Sequence, residues 1–385
     1  MPYTGKQARN EERHLKTHEC SALVVNTLNR YISIPIQGKL KQKTIIQSLV
    51  AMATSLTSIH SIGQILTEIP CETTFRYHLS KLDLDTLEEL NHKILLENSN
   101  DLIKSGKKYI FAIDFTNDPY YGEIDENNPP YVVKGQLKAS TNSFYSYISL
   151  YMVNEDRRLT MAVFPVRNGI QKTEYIQRFL NIITKMGISI KVLCLDRGFY
   201  SKDVISFLQN LKVPHIIPVV KHGDEIKRLF SVNHARYVRY TISKHNHPVE
   251  VDIAVYAKNR VRNKDNTGRK ILGYVVSGIS WNPKKIATIY RKRFGIESSY
   301  RMRNKVRAKT CTKSVIIRYL YAIIAFLLKN IWVALKWIFF SFQKRGPRTV
   351  NDARFRFDHF RLMIWTAIQK RCGFQNHIPI LNRLI

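Results

Sequence analysis

Apolar residues recur at helical spacing from Lys41 onward: TIIQSLVAMATSL, then SIHSIGQILTEI, a break at Pro70–Cys71, then ETTFRYHLSKL. These predict three helices, and an amphipathic fourth is expected over Leu82–Leu102. The first ~20 residues are polar and read as a mobile arm. Two short helices around a tight break fit a helix-turn-helix, the second bearing Thr73, Thr74, Arg76, Tyr77 and His78. They fit a plain helical bundle as well, and the near-zero charge of the segment favours the bundle.

At Lys107 the period changes. KKYIFAIDFT is a continuous apolar run of the kind buried on both faces of a sheet. A loop rich in Asp, Asn and Pro follows, then SFYSYISLYMVN and RLTMAVFPV as a strand pair turning at Glu155, Asp156 and Arg157. Thr173–Met186 is a helix ended by Gly187, ISIKVLCLD a buried strand, SKDVISFLQNL a helix and HIIPVVK a strand. This order predicts a mixed α/β sheet. ARYVRYTIS, VEVDIAVYA and KILGYVVSG predict an all-β insertion hanging from that sheet. Asn282-Pro283 starts a helix running through IATIYRKRFGIESSYRMRNKVRA, with Asn as cap and Pro in the first position. The apolar Ser314–Phe342 follows, broken by Arg318, Lys329 and Lys336, with its longest uncharged run only Tyr319–Leu328. That is too short to span a bilayer, which needs about 20 residues. It reads as a buried or DNA-facing helix with snorkelling cations. A basic helix near 353–371 closes the chain.

Composition adds a partner. The 385 residues carry a net charge of +32, with 61 Lys plus Arg against 29 Asp plus Glu. At 44% hydrophobic the chain can bury a large core, so the excess is not a mark of disorder. Its location is uneven: residues 281–385 hold 23 basic and 3 acidic side chains. Such a field suits a polyanion, nucleic acid before any membrane surface. Five scattered cysteines without a Cys-x-x-Cys pair point to a reducing compartment and away from a zinc finger. No signal peptide is visible in the polar start, so a cytoplasmic location is expected.

Three carboxylates stand out. Asp114 ends the apolar run YIFAID, and Asp196 ends KVLCLD and precedes Arg197-Gly198. Ionised groups do not end buried strands cheaply, and active sites of open sheets gather at the carboxyl ends of strands. Glu297 is the only acid between Asp265 and Asp352. On a continuous helix Arg293, Glu297, Arg301 and position 304 share a stripe about 80° wide. A simple i, i+4 salt bridge to Arg293 and Arg301 is the plainer reading of Glu297. Together the three acids suit a cage for hard divalent ions, Mg²⁺ or Mn²⁺, in a two-metal site for phosphodiester chemistry. The competing acids Asp118, Glu123, Asp125 and Asp203 read as solvated loop residues. His14-x3-His18-x-Cys20 lacks a fourth zinc ligand, His245-x-His247 falls in a turn, and Trp281 reads as core packing rather than a base-stacking platform.

With these residues in place, the chain resembles the DDE transposases of bacterial and archaeal insertion sequences. The segment Tyr290-x2-Arg293-x3-Glu297 is similar to the Tyr-x2-Arg-x3-Glu-x6-Lys signature of the cut-and-paste group with an insertion between its second and third acids. AIDFT, LDRGFYS and YRKRFGIESSYR resemble an archaeal branch in particular. The resemblance implies an RNase H-like catalytic domain. It implies Asp114, Asp196 and Glu297 as catalytic metal ligands, and Tyr290 and Arg293 orienting terminal phosphates. The signature's Lys falls on Asn304, so Lys305 or Arg301 is expected to take that contact, and Arg197 a further one.

The expected organisation is a helical N-terminal domain over 1–105 and a catalytic domain over 106–345 with a β insertion about 221–280. A basic helical region over 346–385 completes it. The expected activity is metal-dependent hydrolysis at element ends followed by strand transfer. Its partner is double-stranded DNA, the active complex a homodimer, and no membrane is involved. The rivals are a metal-dependent nuclease without joining, and an inactive DNA-binding protein.

Overall fold

The structure, a computed structural model, describes residues 14–378 apart from 126–127, 129, 155–156, 232–233, 244–247, 263–265, 344, 347 and 352, and omits the side chains of 258–270. Five helices come first: α1 (Thr17–Tyr31), α2 (Gln42–Ser55), α3 (Ile59–Ile65), α4 (Glu72–Leu79) and α5 (Leu84–Leu96). Then come β1 (Lys108–Pro119), β2 (Val132–Lys138), β3 (Thr141–Met152), β4 (Leu159–Pro165), α6 (Lys172–Lys185) and β5 (Ser189–Leu195). They are followed by α7 (Lys202–Asn210), β6 (His215–Pro218), α8 (Asp224–Leu229), β7 (Arg236–Ile242), β8 (Val249–Arg262) and β9 (Asn266–Ser277). The chain ends in α9 (Pro283–Lys292), α10 (Gly295–Asn304), α11 (Val315–Phe339), the small pair β10 (Ser341–Phe342) and β11 (Thr349–Val350), and α12 (Phe357–Cys372).

The nine long strands form one mixed sheet in the order β2-β3-β1-β5-β6-β9-β8-β7, with β4 also on β3. β1 is antiparallel to β3 and parallel to β5, as expected of an RNase H-like α/β fold. Its alternation sorts two cores. Phe111 and Ile113 face one way, into a cluster with Phe179 of α6 and Leu208 of α7. Ala112 faces the other way, into a cluster with Tyr147 and the apolar residues of α9–α11.

Several expectations are corrected. The β-rich segment does not hang from the sheet. β9 pairs antiparallel with β6 from His215↔Ser277 to Pro218↔Tyr274, so β7–β9 lengthen the sheet and satisfy the edge that β6 would leave open. The KHNH turn and its two histidines lie outside the described residues. The strand pair β3–β4 is present, although Glu155 and Asp156 of its turn lie outside the described residues. The expected loop after Asp114 is shorter, because β1 runs on to Pro119 and β2 adds a strand. Part of the expected arm is helix: α1 buries Cys20, Val24 and Leu28 on one stripe, at spacings of four residues. Cys20 is therefore a core thiol, not a zinc ligand.

The long helix expected from Pro283 is two helices. Asn282 caps α9 as expected, accepting from the Lys285 amide at 2.8 Å. α9 ends at Lys292, and α10 restarts at Gly295, where an added Cβ would lie 3.3 Å from Arg158 Nε. α11 is long and apolar enough to cross a membrane, but it is mostly packed inside the protein. Its cations do not snorkel: Arg318, Lys329 and Lys336 are all buried. Arg318 donates to the Thr312 carbonyl at 2.6 Å, and Lys329 to the Arg158 carbonyl.

The N-terminal helices are not set apart from the rest. α1 and α2 pack on α12, and α5 packs on α11 and β4, all within one apolar cluster. In the α3–α4 pair, Tyr77 is exposed and Thr73 points outward, while His78 is buried and its ring bonds the Pro35 carbonyl at 2.9 Å.

Candidate active site

The sheet register brings the first two acids together. β1 and β5 run parallel with Ile113 opposite Leu195, so Asp114 and Asp196 are the next residues on each side. β5 stops there because Asp196 caps a short 3-10 turn, its Oδ1 accepting from the Gly198 amide at 2.8 Å. Asp114 stays in its strand and is nearly buried, with Oδ1 accepting from the Phe115 amide at 2.9 Å. Burial pushes its carboxyl up to about 6, Arg293 pulls it down, and the charge of Asp196 pushes it up again.

The break between α9 and α10 delivers the third acid. Arg293, at the end of α9, is only 6% exposed and turns back onto the sheet. Its Nη1 meets Asp114 Oδ2 at 2.9 Å, while Nη2 lies 3.6 Å from Glu297 Oε1. One guanidinium thus ties an acid of the central strand to an acid in the first turn of α10, with Asp196 close enough to act on it. Glu297 is half exposed, so its carboxylate opens to solvent at the rim. Tyr300, one turn on, buttresses the arrangement, donating to the Asp114 carbonyl at 3.0 Å and sharing a 2.8 Å bond with Ser149 Oγ.

A cleft of about 490 Å³ opens beside these acids, between the β5–β6 edge, β9 and α9. Asp196 lies at its mouth, and Arg197, Lys221, Arg291 and Arg293 bring four cations to it. Tyr290 forms part of the wall, nearly buried, its ring 5.0 Å from that of Tyr274 and 5.6 Å below the Arg293 guanidinium. It offers a fixed flat face beside a fork of donors, and Arg197 is exposed at the end of β5.

Other expected contacts are placed elsewhere. The stripe drawn on a continuous helix is interrupted at Arg293–Phe294. Arg301 is exposed, and its nearest polar contact is Ser298 Oγ at 3.5 Å. Lys305 faces α12, paired with Asp358 at 2.7 Å, so it does not point into the acid cleft. Asn304 is exposed and accepts from Arg303 at 3.3 Å. Trp281 packs partly buried against the core, with Lys285 4.9 Å above its ring. Of the competing acids, Glu123 and Asp203 are exposed and Asp125 pairs with Lys313.

Asp118 is a correction: it is no solvated loop acid. It lies on β1 four residues after Asp114, hence on the same face of the strand. Arg303, fully buried, grips both its oxygens at 2.6 and 2.7 Å, and Arg307 adds a third bond at 2.5 Å.

Asp114, Asp196 and Glu297 offer the hard oxygen donors that divalent ions take, in a place where two acids push against each other. The donor chemistry therefore fits. Among the described residues, no three His, Cys, Asp or Glu side chains lie close enough together to form a metal cage. The Arg293 guanidinium stands between Asp114 and Glu297 and brings positive charge to both.

Residues 105–327, more than half of the chain, match the transposase DDE domain family. The chain belongs to the DDE transposase family. Its fold is similar to that of a piggyBac transposase solved by cryo-EM as a synaptic complex with hairpin DNA. That likeness has a TM-score of 0.54 at 12% identity, covering 93% of this chain and 82% of that one. No curated protein matches the chain. As a DDE transposase the protein is an enzyme acting on DNA.

Proposed function

We propose that this transposase hydrolyses phosphodiesters at the ends of a mobile element of the insertion-sequence type and joins the freed 3′-hydroxyls to target DNA. The observation that carries this reading is the meeting of Asp114 and Asp196 at the end of a parallel strand pair, tied through Arg293 to Glu297. Asp114, Asp196 and Glu297 are the residues that would hold Mg²⁺ or Mn²⁺ ions as a two-metal site. Such ions, if bound there, would polarise the phosphate and help generate the nucleophile.

The chain's own residues do the rest. Arg197 and Arg291, at the cleft, bind the phosphate backbone of double-stranded DNA and set its register. Arg293 presents a fork suited to a terminal phosphate, and Tyr290 fixes the plane beneath it. Tyr300 holds the strand carrying Asp114 in place through the main-chain oxygen. Chemistry at two ends calls for two active sites, hence a homodimer as the working unit, acting in the cytoplasm on the nucleoid.

The test uses amide variants of the acids. Asp114→Asn, Asp196→Asn and Glu297→Gln should each lower divalent-dependent nicking of a terminal-repeat oligonucleotide by about 10³-fold or more, about 4 kcal/mol of barrier. Duplex binding should survive in all three. Full strand transfer by any one of them would refute the assignment, and nicking by the native protein without a joined product would favour a plain nuclease.

A further inference from the structure

We propose that the cavity behind α10, enclosed by α11 and the start of α12, is a second phosphate-binding site, separate from the acid cluster. It measures about 620 Å³, within the roughly 300–1,000 Å³ range of ligand pockets. Arg158 from the start of β4, Lys329 and Lys336 of α11, and Arg356 at the start of α12 all line it. Among the described residues, the one acid lining it is Asp358, already paired with Lys305 at 2.7 Å.

Burial makes this excess costly. Lys329 is 2% exposed, and its ammonium donates to a neutral acceptor, the Arg158 carbonyl. Burial, with Arg158 and Lys336 nearby, drives its pKa well down, as expected of an amine lacking a counter-ion. Two polar atoms at the wall are buried without a partner: Arg158 Nε and Ser299 Oγ. Ser299 is 2% exposed, and the neighbouring Tyr151 hydroxyl donates instead to the Gly295 carbonyl at 3.1 Å.

A plainer reading is that an aromatic ring satisfies the buried amine, Lys329 lying 4.9 Å over Tyr151. A ring face is a weak partner for a buried ammonium and leaves the hydroxyl and Nε unpaired. A phosphate group supplies what is missing, several acceptor oxygens and negative charge. The start of α12 adds to this, since Arg356 makes no side-chain cap there. Ser299 belongs to α10 and Lys305 caps its end, so an occupant held by them would also steady the helix that carries Glu297.

The test needs no catalysis, so its failure is distinguishable from failure of the catalytic reading. Millimolar inorganic pyrophosphate, against NaCl of equal ionic strength, should raise the thermal midpoint of the native protein by about 3 °C. Lys329→Met should abolish the rise. Ser299→Ala, which removes a buried oxygen beside the Tyr151 hydroxyl, should keep the fold and reduce the rise. No rise in the native protein, or an equal rise in both variants, overturns the site. A duplex oligonucleotide then separates the sources of the phosphate. If Lys329→Met lowers the salt dependence of DNA binding by about one ion, the site takes a backbone phosphate. If DNA binding is unchanged while pyrophosphate binding is lost, it takes a free polyphosphate. Either result upholds the site.

Discussion

Asp114 and Asp118 stand on the same face of the same strand, and each meets an arginine from the α9–α10 region. The resemblance ends there. Asp118 has two arginines to itself; burial would raise its carboxyl, but Arg303 and then Arg307 hold it below its ordinary range. Asp114 shares one arginine with Glu297, and burial, with Asp196 beside it, raises its carboxyl to about 6. The first cluster has more cations than acids and is closed. The second sets Asp114 and Glu297 on one shared arginine, Arg293, with Asp196 beside them. Acids that share one cation are poor architecture but a good place to receive positive charge, and so the two neighbours divide support from chemistry.

That division can be broken by experiment. The largest stability effect should come from the closed cluster. Asp118→Ala or Arg303→Met strands a buried charge and should cost about 3–5 kcal/mol in denaturant unfolding. Asp114→Asn should change stability by no more than about 1 kcal/mol, because it removes repulsion along with one ion pair. Equal losses at the two positions would erase the distinction. A smaller effect is expected at the cleft. Arg197→Gln and Arg291→Gln should weaken duplex binding for all sequences alike and flatten its salt dependence by about one ion each. Sequence-selective loss would mean that they read bases. The smallest effect is in acid. Since the carboxyl of Asp118 is depressed in the folded chain, its contribution is complete above the unfolded value near 4 and fades as pH falls through the lower folded one. The stability gap between the native protein and Asp118→Asn should therefore be constant near neutrality and close below about pH 4. A gap that persists at lower pH would place the stabilisation elsewhere.

The acids of the open cluster were legible because the signal is local: a carboxylate at the end of an apolar run, twice, and a lone Glu in a basic field. Gly187 after α6 and Asn282-Pro283 before α9 were legible for the same reason. What was hidden depends on remote partners. Nothing within KILGYVVSG says that it will pair with HIIP and continue the sheet. The burial of Lys329 requires a carbonyl 171 positions away. Asp118 looked like a loop acid because the loop composition around it is polar, and its arginines lie 185 and 189 positions downstream. The break at Arg293–Phe294 was concealed by an uninterrupted run of helix-forming residues before Gly295. α1 did carry its stripe in plain sight at Cys20, Val24 and Leu28, next to a polar start that drew attention away.

The packing of α1 and α2 against α12 has a consequence for how the protein is made. α1 and α2 share an apolar cluster with Phe360, Ile364 and Ile368, which are synthesised more than 300 positions later. Until those emerge, Val24, Leu28 and Ile45 have no complete core to enter, and the growing chain has to carry them exposed or lightly shielded. Closing α1 and α2 onto α12 is a contact of very long sequence separation, which makes it late and slow. A chain lacking α12 would thus leave the apolar faces of α1 and α2 uncovered, prone to aggregation and proteolysis.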